Sequence, residues 1–166
     1  METIPFTKAN EIKKHKRKLE TALEVTIKIQ GNQAIIEGEG MKEYEASLVL
    51  QAMGFGFSMD KALQLKNQDM IFRILPIKSL TRRKNLEEVR GRLIGTHGKT
   101  KDTIEKIADC DILLNRNEVG LIAHATNMEE ATAALTNLIK GSKQTNVYRY
   151  LESANRKRKT SSAESL

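Results

Sequence analysis

Apolar and polar residues follow two repeating patterns in this chain, one with the period of a β-strand and one with that of an α-helix. Residues 25–30 alternate between apolar and polar, Gly31-Asn32 follows, and residues 34–36 are again apolar. Such alternation is typical of a strand with one buried face, and Gly-Asn is a frequent two-residue hairpin turn. The same order of strand, turn and strand recurs later in the chain, where apolar residues at 112–114 and 119–123 flank a polar turn. The sequence therefore predicts two β-hairpins.

Segments with helical spacing follow both hairpins. A helix is predicted from about residue 42 to 53, and Ser58 is placed to cap a short helix after it. A longer amphipathic segment follows the second hairpin and stops at Gly141, a residue that commonly ends helices. Ile27 lies 85 residues before Ile112, and the helical segments keep nearly the same offset. The chain is therefore predicted to repeat one α+β unit.

The repeat divides the chain into two domains and a tail. Residues 3–6 and 70–75 would each add a third strand, so each domain would have a three-stranded sheet with helices on one face. The predicted domains span residues 1–69 and 70–155. Residues 156–166 are basic and lack apolar periodicity, and we expect them to form a disordered tail.

Composition narrows the class of protein. The 166 residues are 39% hydrophobic and only 4% aromatic, and no apolar run approaches the roughly 20 residues that span a bilayer. No signal peptide is evident at the N-terminus. The single cysteine, Cys110, excludes an internal disulfide and a multi-cysteine zinc site, and at the start of a strand it should be buried rather than reactive. We expect a soluble cytoplasmic protein with no metal, no cofactor and no membrane partner.

Charge is distributed unevenly between the two halves. The formal net charge is +7. Residues 1–75 carry 11 basic and 10 acidic residues, for a net charge of +1, whereas residues 76–166 carry 17 and 11, for +6. Such an excess favours a polyanionic partner for the second half, although a basic surface can also serve solubility alone.

The segment Gly95-Thr96-His97-Gly98 carries the most specific signal. It lies between a helix predicted from about Leu86 to Ile94 and a second amphipathic helix. Two glycines three residues apart allow a tight turn with exposed backbone amides, and the start of the next helix adds its own amides and dipole. This combination suits a phosphate group. Three nearby cations would add attraction: Arg92, Lys99 and Lys101.

The order strand–helix–GxxG–helix–strand–strand–helix around this loop resembles that of a type I KH domain. The resemblance implies that the loop holds the backbone of about four single-stranded nucleotides. It also implies an apolar groove in which Ile94 and Ile104 form the floor, Leu114 the strand side and Arg116 the opposite rim. Two departures stand out: KH loops commonly carry Lys or Arg where Thr96 and His97 stand, and position 101 is usually apolar.

Three further motifs resemble one branch of the KH family. They are residues 91–101 (GRLIGTHGKTK), residues 103–105 (TIE) and residues 146–152 (NVYRYLE), and residues 54–58 (GFGFS) resemble the linker between repeats. The branch is that of archaeal KH-domain ribosome-biogenesis proteins, which are relatives of the eukaryotic partner-of-Nob-one protein. The resemblance implies two tandem KH-like domains of which only the second can bind RNA in the usual way.

The resemblance also implies a function in rRNA processing. We expect a non-catalytic protein that binds single-stranded RNA, namely the precursor of small-subunit rRNA near its 3′ end, and assists maturation of the small subunit. A Nob-type endonuclease and a translation initiation factor would be its protein partners. The alternative is an adaptor that uses the KH fold mainly to dock ribosome-assembly or translation initiation factors.

The first domain is expected to be degenerate. No glycine occurs before Gly31, so this domain has no GxxG loop, and the run Lys13–Lys18 stands where the loop would be. This run could bind nucleic acid. It could equally be the solvated face of a helix whose apolar residues, Ile12, Leu19 and Leu23, point inward.

Overall fold

The chain forms two compact units, Met1–Phe72 and Arg73–Leu166. The structure is a computed structural model that describes residues 1–5 and 9–164. Each unit contains a three-stranded sheet and several helices, which confirms the predicted α+β fold. The division falls three residues later than the expected boundary after position 69. Within the described residues, no helix combines the length and apolar character needed to cross a membrane.

The first unit has one long helix between its first two strands. Its elements are β1 (Glu2–Pro5), α1 (Ala9–Leu23), β2 (Thr26–Gln30), β3 (Gln33–Glu37), α2 (Met41–Phe55) and α3 (Met59–Ala62), followed by a 3-10 turn over Leu63–Lys66. The sheet order is β1-β3-β2, with Ile27 opposite Ile36 in the predicted antiparallel hairpin. The predicted first strand is confirmed as β1, although its expected last residue, Phe6, lies outside the described residues.

The core of the first unit lies between the sheet and helices α1 and α2. On α1, the spacing of Ile12, Leu19 and Leu23 places these side chains on one face, and none is more than 3% exposed. Ser58 caps α3 as predicted, because its hydroxyl accepts a hydrogen bond from the Lys61 amide at 3.4 Å. Three aromatic rings, those of Phe55, Phe57 and Phe72, pack together with centroids 5.9–6.0 Å apart.

Between its first two strands the second unit has three helices, one of them a single turn, where the described part of the first unit has only α1. Its elements are β4 (Met70–Pro76), α4 (Ile77–Leu80), α5 (Leu86–Ile94), α6 (Lys99–Ala108), β5 (Cys110–Asn115), β6 (Glu118–His124), α7 (Ala125–Lys140) and α8 (Gln144–Glu164). Strand β4 starts within the first compact unit and joins the second sheet, whose order is β4-β6-β5. Gly141 ends α7 with a positive φ of 115°, as its position predicts.

The chain beyond Arg156 differs from the sequence prediction. Residues 156–164 are not disordered but continue α8 as far as Glu164. The helix is anchored before this point because Val147 and Leu151 are buried and the Asn155 side-chain amide donates to the Ile107 carbonyl at 2.5 Å. Arg158 in turn donates to the Asn155 side chain. A helix that is already nucleated is extended at little cost by Arg and Lys, which have good helix propensity.

Candidate nucleic-acid interface

The segment Gly95–Gly98, hereafter the GxxG loop, connects α5 to α6. Helix α5 is fixed at its start by Asn85, whose side-chain oxygen accepts a hydrogen bond from the Glu88 amide at 3.2 Å. Val89 and Leu93 anchor the helix in the core, since neither is more than 2% exposed. The last backbone bond of α5, from the Gly95 amide to the Gly91 carbonyl, measures 2.9 Å. The loop therefore begins at a fixed point of the scaffold.

Gly95 is required by the packing of the loop against α6. Its φ is +75°, and a Cβ added there would lie 2.2 Å from the hydroxyl oxygen of Thr100, a side chain that is only 6% exposed. No larger residue fits without displacing the first turn of α6. Gly98 has the same φ, but its added Cβ would meet nothing closer than a carboxylate oxygen of Asp102 at 3.9 Å. At Gly98 only the backbone conformation favours glycine.

The outer side of the loop presents backbone and small polar groups. Thr96 and His97 are exposed, and His97 adopts a left-handed φ of 54°. No side chain forms a capping hydrogen bond at the start of α6. The Gly98 amide donates to the Gly95 carbonyl at 3.2 Å and the Lys99 amide donates to the Thr96 carbonyl, so backbone bonds hold the turn itself. The positive end of the helix dipole favours a negatively charged group at this point. The exposed Lys99 lies in the first turn and adds a full positive charge.

Two of the three cations predicted near the loop are engaged within the protein. The Arg92 guanidinium donates to the carbonyls of Leu138 at 3.2 Å and Ser142 at 2.6 Å. The Lys101 ammonium donates to Glu105 at 2.8 Å, and its side chain is only 25% exposed. Both residues thus hold the scaffold together. Of the three, Lys99 is the cation that the structure leaves exposed beside the loop.

The apolar residues predicted for the groove divide into exposed and buried positions. Ile94 is 39% exposed at the end of α5, and Leu114 is partly exposed on β5. Ile104, in contrast, has no exposed surface. It therefore supports α6 from below and presents no surface to a ligand, which differs from its expected place in the groove floor.

The hairpin turn between β5 and β6 carries a second feature of the site. Arg116 is exposed and adopts a left-handed φ of 54°, which is uncommon for a residue other than glycine. Its carbonyl accepts a hydrogen bond from the guanidinium of Arg90 at 3.3 Å. Sequence reasoning missed Arg90, although its position four residues before Ile94 places both on one face of α5. This bond links α5 to the hairpin turn.

The structure offers no support for thiol or metal chemistry in the part of the chain that it describes. Burial raises the pKa of the Cys110 thiol to about 12, with a further contribution from Glu105. The thiol is therefore protonated at neutral pH and is a poor nucleophile. Among the described residues, no group of three His, Cys, Asp or Glu side chains could hold a metal ion.

Comparison with known families decides the class of this fold. Residues 71–156 match the family described as the eukaryotic type KH domain, or type I KH domain. The chain belongs to the type I KH-domain family. The match covers β4, both helices around the GxxG loop, the second hairpin and most of α8.

Curated relatives confirm the predicted link to the partner-of-Nob-one branch. A KH domain-containing protein of Methanocaldococcus jannaschii is 24% identical over 136 residues, which cover 81% of this chain and 59% of that protein. The pre-rRNA-processing protein pno1 of Schizosaccharomyces pombe is 33% identical over 109 residues, which cover 63% of this chain and 45% of that protein. The chain thus spans about half the length of the curated relatives that it matches.

Solved structures with the same fold include archaeal Dim2p. Dim2p of Pyrococcus horikoshii OT3 has a TM-score of 0.83 and 27% identity, over 91% of this chain and 97% of that one. A chain in the a/eIF2alpha–aDim2p–rRNA complex from the same organism has a TM-score of 0.84 and 25% identity, over 94% of both chains. The KH family and the archaeal relationship predicted from the motifs are therefore confirmed.

Proposed function

We propose that this protein binds single-stranded RNA through the GxxG loop and acts, without catalysing a reaction itself, in maturation of the small ribosomal subunit. The observation that carries the proposal is the loop geometry: the close approach of Gly95 to Thr100 brings the exposed Thr96 and His97, a helix start without a side-chain cap and Lys99 to one point. Donors arranged in this way suit the phosphates of a nucleic-acid backbone.

The proposed substrate is the precursor of small-subunit rRNA near its 3′ end. Support comes from the fission yeast relative, whose name states pre-rRNA processing, and from the Pyrococcus complex, which contains rRNA. The protein would present this RNA to a Nob-type endonuclease.

We assign different tasks to the residues around the loop. The backbone of Gly95–Gly98 and the side chain of Lys99 would contact phosphates, while Ile94 and Leu114 would contact bases. Arg116 would approach the RNA from the opposite rim, where its bond to Arg90 fixes the turn. Three residues would support this surface from within: Arg92, Lys101 and Ile104.

The test places negative charge in the loop. The double variant Thr96→Asp/His97→Asp should weaken binding of a single-stranded RNA with the 3′-end sequence of small-subunit rRNA by about a hundredfold or more, because two carboxylates would face a phosphate. Both side chains are exposed, so the variant should fold normally. A matched control, Asn32→Asp/Gln51→Glu, makes the same charge change at exposed positions of the first unit. Unchanged affinity in the folded loop variant would disprove the assignment.

One observation favours a second function, that of a protein adaptor. The first unit has no GxxG loop but carries an apolar groove in which Met41 and Tyr44 are 57% and 52% exposed. The Pyrococcus complex contains a/eIF2alpha beside aDim2p and rRNA. If the adaptor function holds, Met41→Ser/Tyr44→Ser should weaken binding of the archaeal initiation factor, measured by calorimetry, and leave RNA affinity unchanged.

A further inference from the structure

A second cluster of cations lies in the same unit as the GxxG loop, in a depression at the C-terminal end of α6. Lys106 of α6 and Arg158 and Lys159 of α8 line it, together with Asn127 and Asn155. Its one acidic lining residue is Asp109. We call Lys106, Arg158 and Lys159 the distal basic cluster. Sequence analysis did not bring these residues together, because 52 positions separate Lys106 from Arg158.

The charges of the distal basic cluster are not neutralised by the fold. In the described part of the chain, none of the three side chains forms an ion pair, whereas Lys101, on the same helix, pairs with Glu105 at 2.8 Å. Arg158 donates to the neutral Asn155, and Asp109 pairs with none of the three. Three cations around one carboxylate leave a local excess of positive charge, which favours an anionic ligand.

The structure also fixes the position of the cluster relative to the loop. Helix α6 begins at the GxxG loop and its ten residues end at Ala108, so the two sites lie about 15 Å apart along one rigid helix. The bond from Asn155 to the Ile107 carbonyl holds α8 at the far end of α6. An RNA strand bound at the GxxG loop would reach the distal basic cluster with a few further nucleotides, since an extended nucleic-acid backbone advances by several ångströms per nucleotide.

We infer that the distal basic cluster binds the phosphodiester backbone of the RNA strand whose central nucleotides are held by the GxxG loop. The inference rests on the proposed function and extends it to a second contact site. Long Lys and Arg side chains around an open depression suit a backbone that passes through, because they supply charge without reading base edges. The helical extension of α8 past Arg156 is what brings Arg158 and Lys159 to this place.

The test compares RNA length and matched charge changes. Lys106→Gln/Lys159→Gln removes two exposed charges from the cluster, and Arg156→Gln/Lys157→Gln removes two exposed charges from the outer face of the same helix end. Each variant is titrated with two single-stranded RNAs of the small-subunit rRNA 3′-end sequence, one of about five nucleotides, which fills only the loop site, and one of about twelve, which reaches both sites.

The cluster variant should bind the short RNA like the wild type and the long RNA about tenfold more weakly, with a salt slope lower by about 1.4 for two lost phosphate contacts. The control variant should keep the wild-type slope for both RNAs. Equal affinities and slopes for the long RNA in wild type and cluster variant would overturn the inference while leaving the proposed function intact. Failure of the wild type to bind either RNA would overturn both. Each variant is also titrated with poly-glutamate. If the cluster variant binds poly-glutamate more weakly than the wild type does but binds both RNAs equally well, the cluster is a site for an acidic protein and the inference is overturned.

Discussion

The two units share a scaffold but differ at the loop. Glu20 and Glu105 lie 85 residues apart, and each accepts a hydrogen bond from the backbone amide of a strand residue. The Ile27 amide donates to Glu20 at 2.8 Å, and the Ile112 amide donates to Glu105 at 3.1 Å. Glu24 and Asp109, also 85 residues apart, both end their helices with a left-handed φ, of 54° and 50°. Helix α6 therefore corresponds to the last ten residues of α1.

The difference lies just before these equivalent helices. The counterpart of Gly95–Gly98 is the segment 10–13, which is the first turn of α1 and contains no glycine. Ile12 is fully buried there, whereas its counterpart His97 is exposed. The sequence suggested that the run Lys13–Lys18 stands in place of the loop. The structure corrects this placement, because the run begins at the counterpart of Gly98 and continues along α1. The GxxG loop thus depends on an interruption between α5 and α6, and the basic residues of the first unit lie on one continuous helix.

The largest expected effect concerns the glycine that interrupts the helix. Gly95→Ala should lower the free energy of unfolding of the second unit by about 3 kcal/mol. Alanine at this position would bear two energetic costs, that of a positive φ and that of a steric overlap with Thr100. Gly98→Ala should cost only about 1 kcal/mol, since the surrounding space is open. Denaturant unfolding, with hydrogen exchange to assign the unit, measures both. Equal losses would show that the close contact with Thr100 is not what requires Gly95.

The next largest loss of stability is expected at the glutamate that both units have at equivalent positions, Glu105 and Glu20. Glu105→Ala should destabilise the second unit by about 2 kcal/mol, because the buried Ile112 amide loses its acceptor and Lys101 loses its ion pair. Glu20→Ala should cost less in the first unit, since the Glu20 side chain is 27% exposed and its lysine partner, Lys16, lies 4.0 Å away. The same unfolding experiment checks both. A larger loss for Glu20→Ala would contradict the argument that burial of the carboxylate and the distance of its lysine partner set the size of the effect.

Two lysines of α6 should separate RNA binding from stability. Lys99→Gln should weaken binding to all RNA sequences alike and lower the salt slope by about 0.7, the value for one single-strand phosphate contact. Lys101→Gln should leave the slope unchanged and slightly lower the unfolding free energy, because this lysine is bound to Glu105. RNA titrations at several salt concentrations distinguish the two. A reduced slope for Lys101→Gln would return that residue to the RNA site.

The smallest effect is expected in the first unit. Lys14→Glu/Arg17→Glu should lower RNA affinity by less than about 1 kcal/mol, since exposed charges act only through a screened general field at physiological salt. Titration of this variant and the wild type with the same single-stranded RNA at about 150 mM salt provides the measurement. A loss of about a hundredfold or more would show that α1 contacts RNA directly, and the one-loop proposal would fail.

The sequence by itself determined the elements whose signals are local. The periods of the strands, the turns, the bounds of α5, the cap at Ser58 and the end of α7 at Gly141 follow from neighbouring residues, and the GxxG spacing with its flanking motifs was enough for the KH family. These features depend on side-chain direction and backbone sterics within a few residues.

Only the tertiary structure decided which charges and apolar groups remain available. Arg92 looks like Lys99 in the sequence, yet its guanidinium bonds to the carbonyls of Leu138 and Ser142, which are distant in sequence. The helix from Arg156 to Glu164 likewise continues from Asn155, whose side-chain amide is bonded to the carbonyl of Ile107, a residue distant in sequence. A cation's partner and a helix end's anchor are set by which segments pack side by side, and local periodicity carries no information about that packing.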